Sequence, residues 1–167
     1  MTSIKQRPEG YSRVQITLHW IIALLIAGQY LFKNSIATAW DTIRAGNNFA
    51  FDPLVMAHVA GGSLILLLVI WRVIVRVKRG VPATPENEPA ILKAISHIVH
   101  WAFYVMLIMM SFSGLAAWFG DVVFAAQVHN ILKVVLLALI AMHVLAVPFH
   151  HVVLKNPIMK RMVKSHH

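Results

Sequence analysis

The sequence predicts an all-α membrane protein, a bundle of four transmembrane helices forming one domain over residues 1–167. Three observations predict it. Of the 167 residues, 59% are hydrophobic and only 13% are charged, and the mean hydropathy is +0.70. Soluble domains carry about 25% charged residues, so this chain lacks the charge to cover a soluble globule. The apolar residues gather into four stretches, each near or above the roughly 20 residues that cross a bilayer. No period-2 alternation runs along them, which argues against a transmembrane barrel. Cysteine is absent. That excludes disulfides, iron–sulfur clusters, thiolate zinc sites and thioether-linked haem.

The first stretch is about Val14–Phe32 and the second about Leu54–Val75. The third is about Ala90–Trp118 and the fourth about Val122–Phe149. The last two exceed the minimum span, so they are expected to tilt or protrude. Lys33–Pro53 is polar and reads as a loop that holds at most a short interfacial helix. Lys78–Pro89 carries Pro82, Pro85 and Pro89 and reads as an irregular connection, and Gly120–Asp121 reads as a tight turn. Lys5–Arg13, the apolar run after it and Ala37-Thr38-Ala39 also have the order of a cleaved leader. That run is longer than a leader's core, and cleavage would leave three spans, so the segment is read as the first span.

Charge sets the expected orientation. Lys5, Arg7 and Arg13 precede span one, and Arg72, Arg76, Lys78, Arg79 and Lys93 flank the second connection. Lys155, Lys160, Arg161 and Lys164 follow span four. Twelve of the fifteen basic residues thus fall on one side, and the other side has Lys33 and Arg44, with Lys133 inside span four. The positive-inside rule places both termini in the cytoplasm. Because the formal charge of +9 sorts by topology, no nucleic-acid partner is expected.

Ionisable residues within spans are costly and mark functional sites. His19 lies near the start of span one, and His58 near the periplasmic end of span two. His129 and His143 lie near the periplasmic and cytoplasmic ends of span four. The four therefore sort into two levels, His19 with His143 and His58 with His129. His129 and His143 are 14 residues apart, which is about 40° short of four full turns and about 21 Å along the axis. One helix thus offers two imidazoles to two stacked sites. Two imidazoles on opposite sides of a planar iron tetrapyrrole make a bis-histidine haem b. Zinc prefers a tetrahedral set, and the spans hold essentially no carboxylate to complete one.

Arg72 follows His58 by 14 residues. It should face the same side about 21 Å further on, at the level of His19 and His143, where haem propionates need a cation. The alternative is snorkelling to the headgroups. Gly61 and Gly62 on the His58 face, and Gly114 in span three, would admit a flat macrocycle, or else ordinary close packing. Lys133, one turn past His129, either snorkels to the periplasmic edge or meets an anion near the outer site. His97 and His100 open span three. They read as interfacial, or as partners of a propionate or quinone, with His100 or His97 able to compete with His19 as ligand. His150 and His151 read as interfacial, His166 and His167 as a tail, and Trp20, Trp101 and Trp118 as interface-belt aromatics.

The run Tyr11-Ser12-Arg13-Val14-Gln15-Ile16-Thr17-Leu18-His19-Trp20 resembles the opening of the bacterial cytochrome b561 family. Met56-Ala57-His58-Val59-Ala60-Gly61-Gly62 resembles its second signature, and Leu68–Arg79 the exit of its second span. His97-Ile98-Val99-His100, His129 with His143, and His150-His151 are similar to its third and fourth spans. The resemblance covers nearly the whole chain. It implies a four-helix dihaem b cytochrome with ligand pairs His19/His143 and His58/His129, the pairing that depth also gives.

The expected function is electron transfer through two b haems, between a periplasmic one-electron donor and the ubiquinone pool. The resembled family includes members proposed to oxidise superoxide and reduce ubiquinone. A rim of Lys33, Arg44 and Lys133 would steer such an anion. The alternative is a haem b anchor subunit of a larger dehydrogenase or hydrogenase complex.

Overall fold

The computed structural model describes residues 8, 10–84, 88–153, 155 and 158–163. Lys5, Arg7, Pro85, Lys164, His166 and His167, which entered the sequence reading, lie outside the described residues. Six helices and no strand occur among the described residues. Four of them, α1 (Arg13–Leu31), α3 (Pro53–Arg79), α4 (Ala90–Gly120) and α5 (Val123–Val152), are long and apolar enough to cross a membrane. They contain nearly all of the four stretches read from the sequence. The short helices are α2 (Lys33–Arg44) and α6 (Ile158–Arg161).

Local chemistry sets the ends. Ser12 caps α1 in a reciprocal box: its hydroxyl accepts from the Gln15 backbone N–H at 3.2 Å, and the Gln15 side chain accepts from the Ser12 N–H at 3.0 Å. Each bond satisfies a donor that a helix start leaves orphaned. Asp52 caps α3 through Leu54 N–H at 2.8 Å, with Pro53 pre-set for the first turn. Gly80 ends α3 at φ 84, and Asp121 ends α4 in the left-handed region at φ 50. The turn expected at Gly120–Asp121 is therefore one left-handed residue at the end of α4.

Lys33–Pro53 holds the short helix that its reading as a loop allowed for, α2, which fills twelve of its residues. Its polar content hid it from a search for apolar spans. Ala39 is fully buried on one face, and α2 packs against α3. Arg44 of α2 pairs with Asp121 at 3.2 Å with both side chains largely exposed, so the pair adds little stability.

α1 packs on α3, α3 on α4, and α4 on α5. The shared core is Ile22, Ile65, Val69, Tyr104, Leu107 and Leu136. Large apolar side chains such as Leu24, Leu67, Ile98, Phe112 and Val134 point outward and are exposed. That arrangement suits a surface solvated by lipid. Opposite the Arg44–Asp121 end, the chain is laced together by hydrogen bonds. Gln15 Nε2 donates to Gly80 O at 3.0 Å, Trp20 Nε1 to Met162 O at 2.9 Å, and Arg161 Nη1 to Ala83 O at 2.8 Å.

Candidate functional site: two histidine pairs

The bundle brings the four singled-out histidines together in two pairs. His58 of α3 faces His129 of α5, with ring centres 6.5 Å apart and planes at 64°. His19 of α1 faces His143 of α5, at 6.3 Å and 63°. The two levels deduced from depth are thus two places in the fold, both furnished by α5.

In the first pair His129 is held by α4. Its Nδ1 lies 3.0 Å from the Met110 carbonyl and 3.3 Å from Ser113 Oγ. A carbonyl only accepts, so Nδ1 carries the proton and Nε2 keeps its lone pair. The ring comes close to Gly114, where an added Cβ would stand 3.1 Å from Cε1. His58 Nδ1 is buried with no hydrogen-bond partner among the described residues. A half-open pocket of about 60 Å³ is lined by both rings and by, among others, Gln29, Tyr30, Ser111 and Leu136. Tyr30 donates its phenol proton to the Lys133 carbonyl at 2.6 Å, and Ser111 donates to Gly62 O at 3.2 Å. Lys133 extends to Asn130 Oδ1 at 2.9 Å on the exposed side.

Around the second pair, Phe103 and His100 of α4 lie 5.2 and 5.9 Å from the His143 ring, and Trp20 lies 5.4 Å from His19. His100 Nδ1 donates to Ser96 O at 2.6 Å. Arg72 does not snorkel straight outward: its Nη1 donates to the Gln15 carbonyl at 2.5 Å, one turn before His19 on α1. Next to it is a small recess lined by Tyr11, Gln15, Arg72, Arg76, Val81 and Tyr104. The Arg76 guanidinium stands 5.8 Å over the Tyr104 ring. Burial holds the Tyr11 phenol above its usual value, against the opposing pull of Arg76 and Arg72.

Among the described residues no three His, Cys, Asp or Glu side chains converge on a point. His58 and His129 stand as a pair, whereas His143 has two imidazole neighbours, His19 at 6.3 Å and His100 at 5.9 Å, so His100 stays within reach of the place expected for His19.

A family model for the prokaryotic cytochrome b561 matches residues 10–165. The chain belongs to that family. It is similar to "Cytochrome b562" of Cereibacter sphaeroides, with 29% identity over 93% of this chain and 96% of that protein. It is also similar to "Probable superoxide oxidase CybB" of Yersinia pestis, with 28% identity over 92% of this chain and 95% of that protein. Membership makes this cytochrome b561 relative a membrane protein that binds haem b and transfers electrons. Four apolar helices fit a multi-pass protein of the inner membrane.

Sequence reasoning missed Gln29 and Tyr30. Both sit on α1 facing the first pair, but neither has a spacing signal that separates it from other span residues. Of the two readings open for Gly61, close packing is the one found, since a Cβ there would run into the Gln29 side chain; Gly62 has open space.

Proposed function

We propose that this protein holds two b haems, one between His19 and His143 and one between His58 and His129. On this reading it passes single electrons across the membrane, from a small periplasmic donor such as superoxide to ubiquinone. The observation that carries the proposal is the spacing of the two ring pairs, 6.3 and 6.5 Å. A ligating imidazole nitrogen stands about 2 Å from its metal, so two imidazoles on opposite sides of one iron have ring centres about 6 Å apart. The partnerless buried nitrogen of His58 supports the same reading, since an unpaired buried polar atom is costly unless something binds it. When bound, haem iron supplies a one-electron couple.

The protein's own groups tune that couple. The Met110 carbonyl fixes the His129 tautomer and leaves Nε2 with its lone pair, as second partners of ligating histidines do. Arg72, bonded to the Gln15 carbonyl one turn before His19, would offer its guanidinium to a propionate of the inner haem. The two levels are about 21 Å apart along α5. The sequence charge asymmetry supports cytoplasmic termini, which puts His58 and His129 on the periplasmic side. There Lys33 and Lys133 favour an anionic donor, while Arg44 is partly neutralised by Asp121. The name of the Yersinia relative supports superoxide as that donor.

The test is stopped-flow spectroscopy of the haem-loaded protein. Superoxide should reduce the haems within the mixing time, and added ubiquinone should reoxidise them with quinol formed. Haems that superoxide leaves oxidised, but another donor reduces, would overturn the donor assignment.

A further inference from the structure

Glu88 is the buried carboxylate of the described residues, its side chain only 3% exposed. It lies just before α4 and faces His150 of α5, whose Nδ1 is 3.7 Å from Glu88 Oε1. His150 Nδ1 is itself buried with no hydrogen bond within normal range among the described residues. His150 follows His143 by seven residues, about two turns and 10 Å further toward the cytoplasmic end of the same helix. A carboxylate ahead of a helix start is favoured by the helix dipole. That explains a negative charge at Glu88. It does not explain why the carboxylate is buried against an imidazole from another span, in a chain with six acidic residues.

We infer that Glu88 and His150 form a proton-delivering pair for quinone reduction. The inference rests on the quinone reading above. Reducing one quinone to quinol takes two electrons and two protons. Two superoxide ions supply the electrons, one each, and leave as two dioxygen molecules. The protons come from the cytoplasm. Glu88 hands a proton to His150 Nδ1, the nitrogen that faces it, and His150 releases a proton from Nε2 to a quinone oxygen. The carboxylate is then reprotonated from water at the cytoplasmic surface, and the imidazole exchanges its Nδ1 proton back to Nε2 through that water before the second proton follows the same route. An imidazole suits this position because its two nitrogens accept on one side and donate on the other.

The experiment uses the full-length haem-loaded protein and three variants, Glu88→Gln, Glu88→Asp and His150→Gln. Haem content, haem reduction by superoxide, and quinol formation from a short-chain ubiquinone are measured in H2O and D2O. Glu88→Gln and His150→Gln should keep their haem and their reduction rate, while quinol formation slows by about 100-fold, the usual worth of a positioned proton donor. Glu88→Asp should restore part of that rate, and the solvent isotope effect should grow in the slowed variants. Unchanged quinol formation in both Gln variants would overturn the inference. So would loss of haem in Glu88→Gln and Glu88→Asp alike, because the pair would then only join two helix ends. A wild-type protein whose haems are reduced but form no quinol would instead overturn the quinone reading itself.

Discussion

Gly114 of α4 and the His129 ring of α5 are in contact because the glycine puts no side chain between them. A Cβ at Gly114 would stand 3.1 Å from Cε1 and 3.2 Å from Nδ1 of the imidazole. The absent side chain lets the ring lie close enough for Nδ1 to reach the Met110 carbonyl at 3.0 Å.

Gly114→Ala should therefore push the ring off α4 and strain that hydrogen bond. Orienting partners of this kind are worth about 10- to 100-fold in affinity. Haem retention at the His58/His129 site should fall by about that factor, while the other site keeps its haem. Haem quantitation after detergent dialysis checks it. Equal retention at both sites would show that the ring does not depend on the glycine.

Arg72 supplies a second prediction. Removing its positive charge from beside the inner haem favours the ferric state. Arg72→Gln should lower that haem's midpoint potential by about 60 mV, the change that accompanies a tenfold shift in a one-electron equilibrium. The outer haem, about 21 Å away, should shift much less. A redox titration that resolves the two haems checks it, and a larger shift of the outer haem would move Arg72 to the other site.

Orientation is open to direct measurement. Reporter fusions at either terminus and within residues 78–89 should all report the cytoplasm, as the distribution of lysine and arginine requires. A periplasmic C-terminus would reverse the placement of the two histidine levels.

How far the sequence could be read follows from the range of each interaction. The spans were legible because lipid demands some 20 apolar residues in a row. The histidine levels were legible because helical rise converts residue number into depth, and α5 indeed presents His129 and His143 to different neighbours. Helix α2 was only half visible, because it buries one small residue, Ala39, as it packs on α3, and carries no apolar run. His150 read as an interfacial residue because its partner, Glu88, lies 62 positions away in a proline-rich connection. No periodicity joins two such residues. The Arg72 bond to Gln15 O was equally out of reach, since a backbone carbonyl leaves no trace in sequence.

Single ligand losses should separate the two sites. His19→Ala should remove the inner haem and leave the outer one, and His129→Ala should do the reverse. His100, 5.9 Å from His143 with Nδ1 bonded to Ser96 O, is the residue to watch in the first variant. Low-temperature difference spectra of each variant check the assignment, and loss of both haems from either one would show that the sites are not independent.

The central claim is that four histidines make two bis-imidazole sites, and haem stoichiometry tests it most directly. Pyridine haemochrome quantitation of purified protein, with electron paramagnetic resonance of the oxidised form, should give two b haems per chain, both low-spin and six-coordinate. One haem per chain, or a high-spin five-coordinate iron, would contradict the pairing of His19 with His143 and His58 with His129.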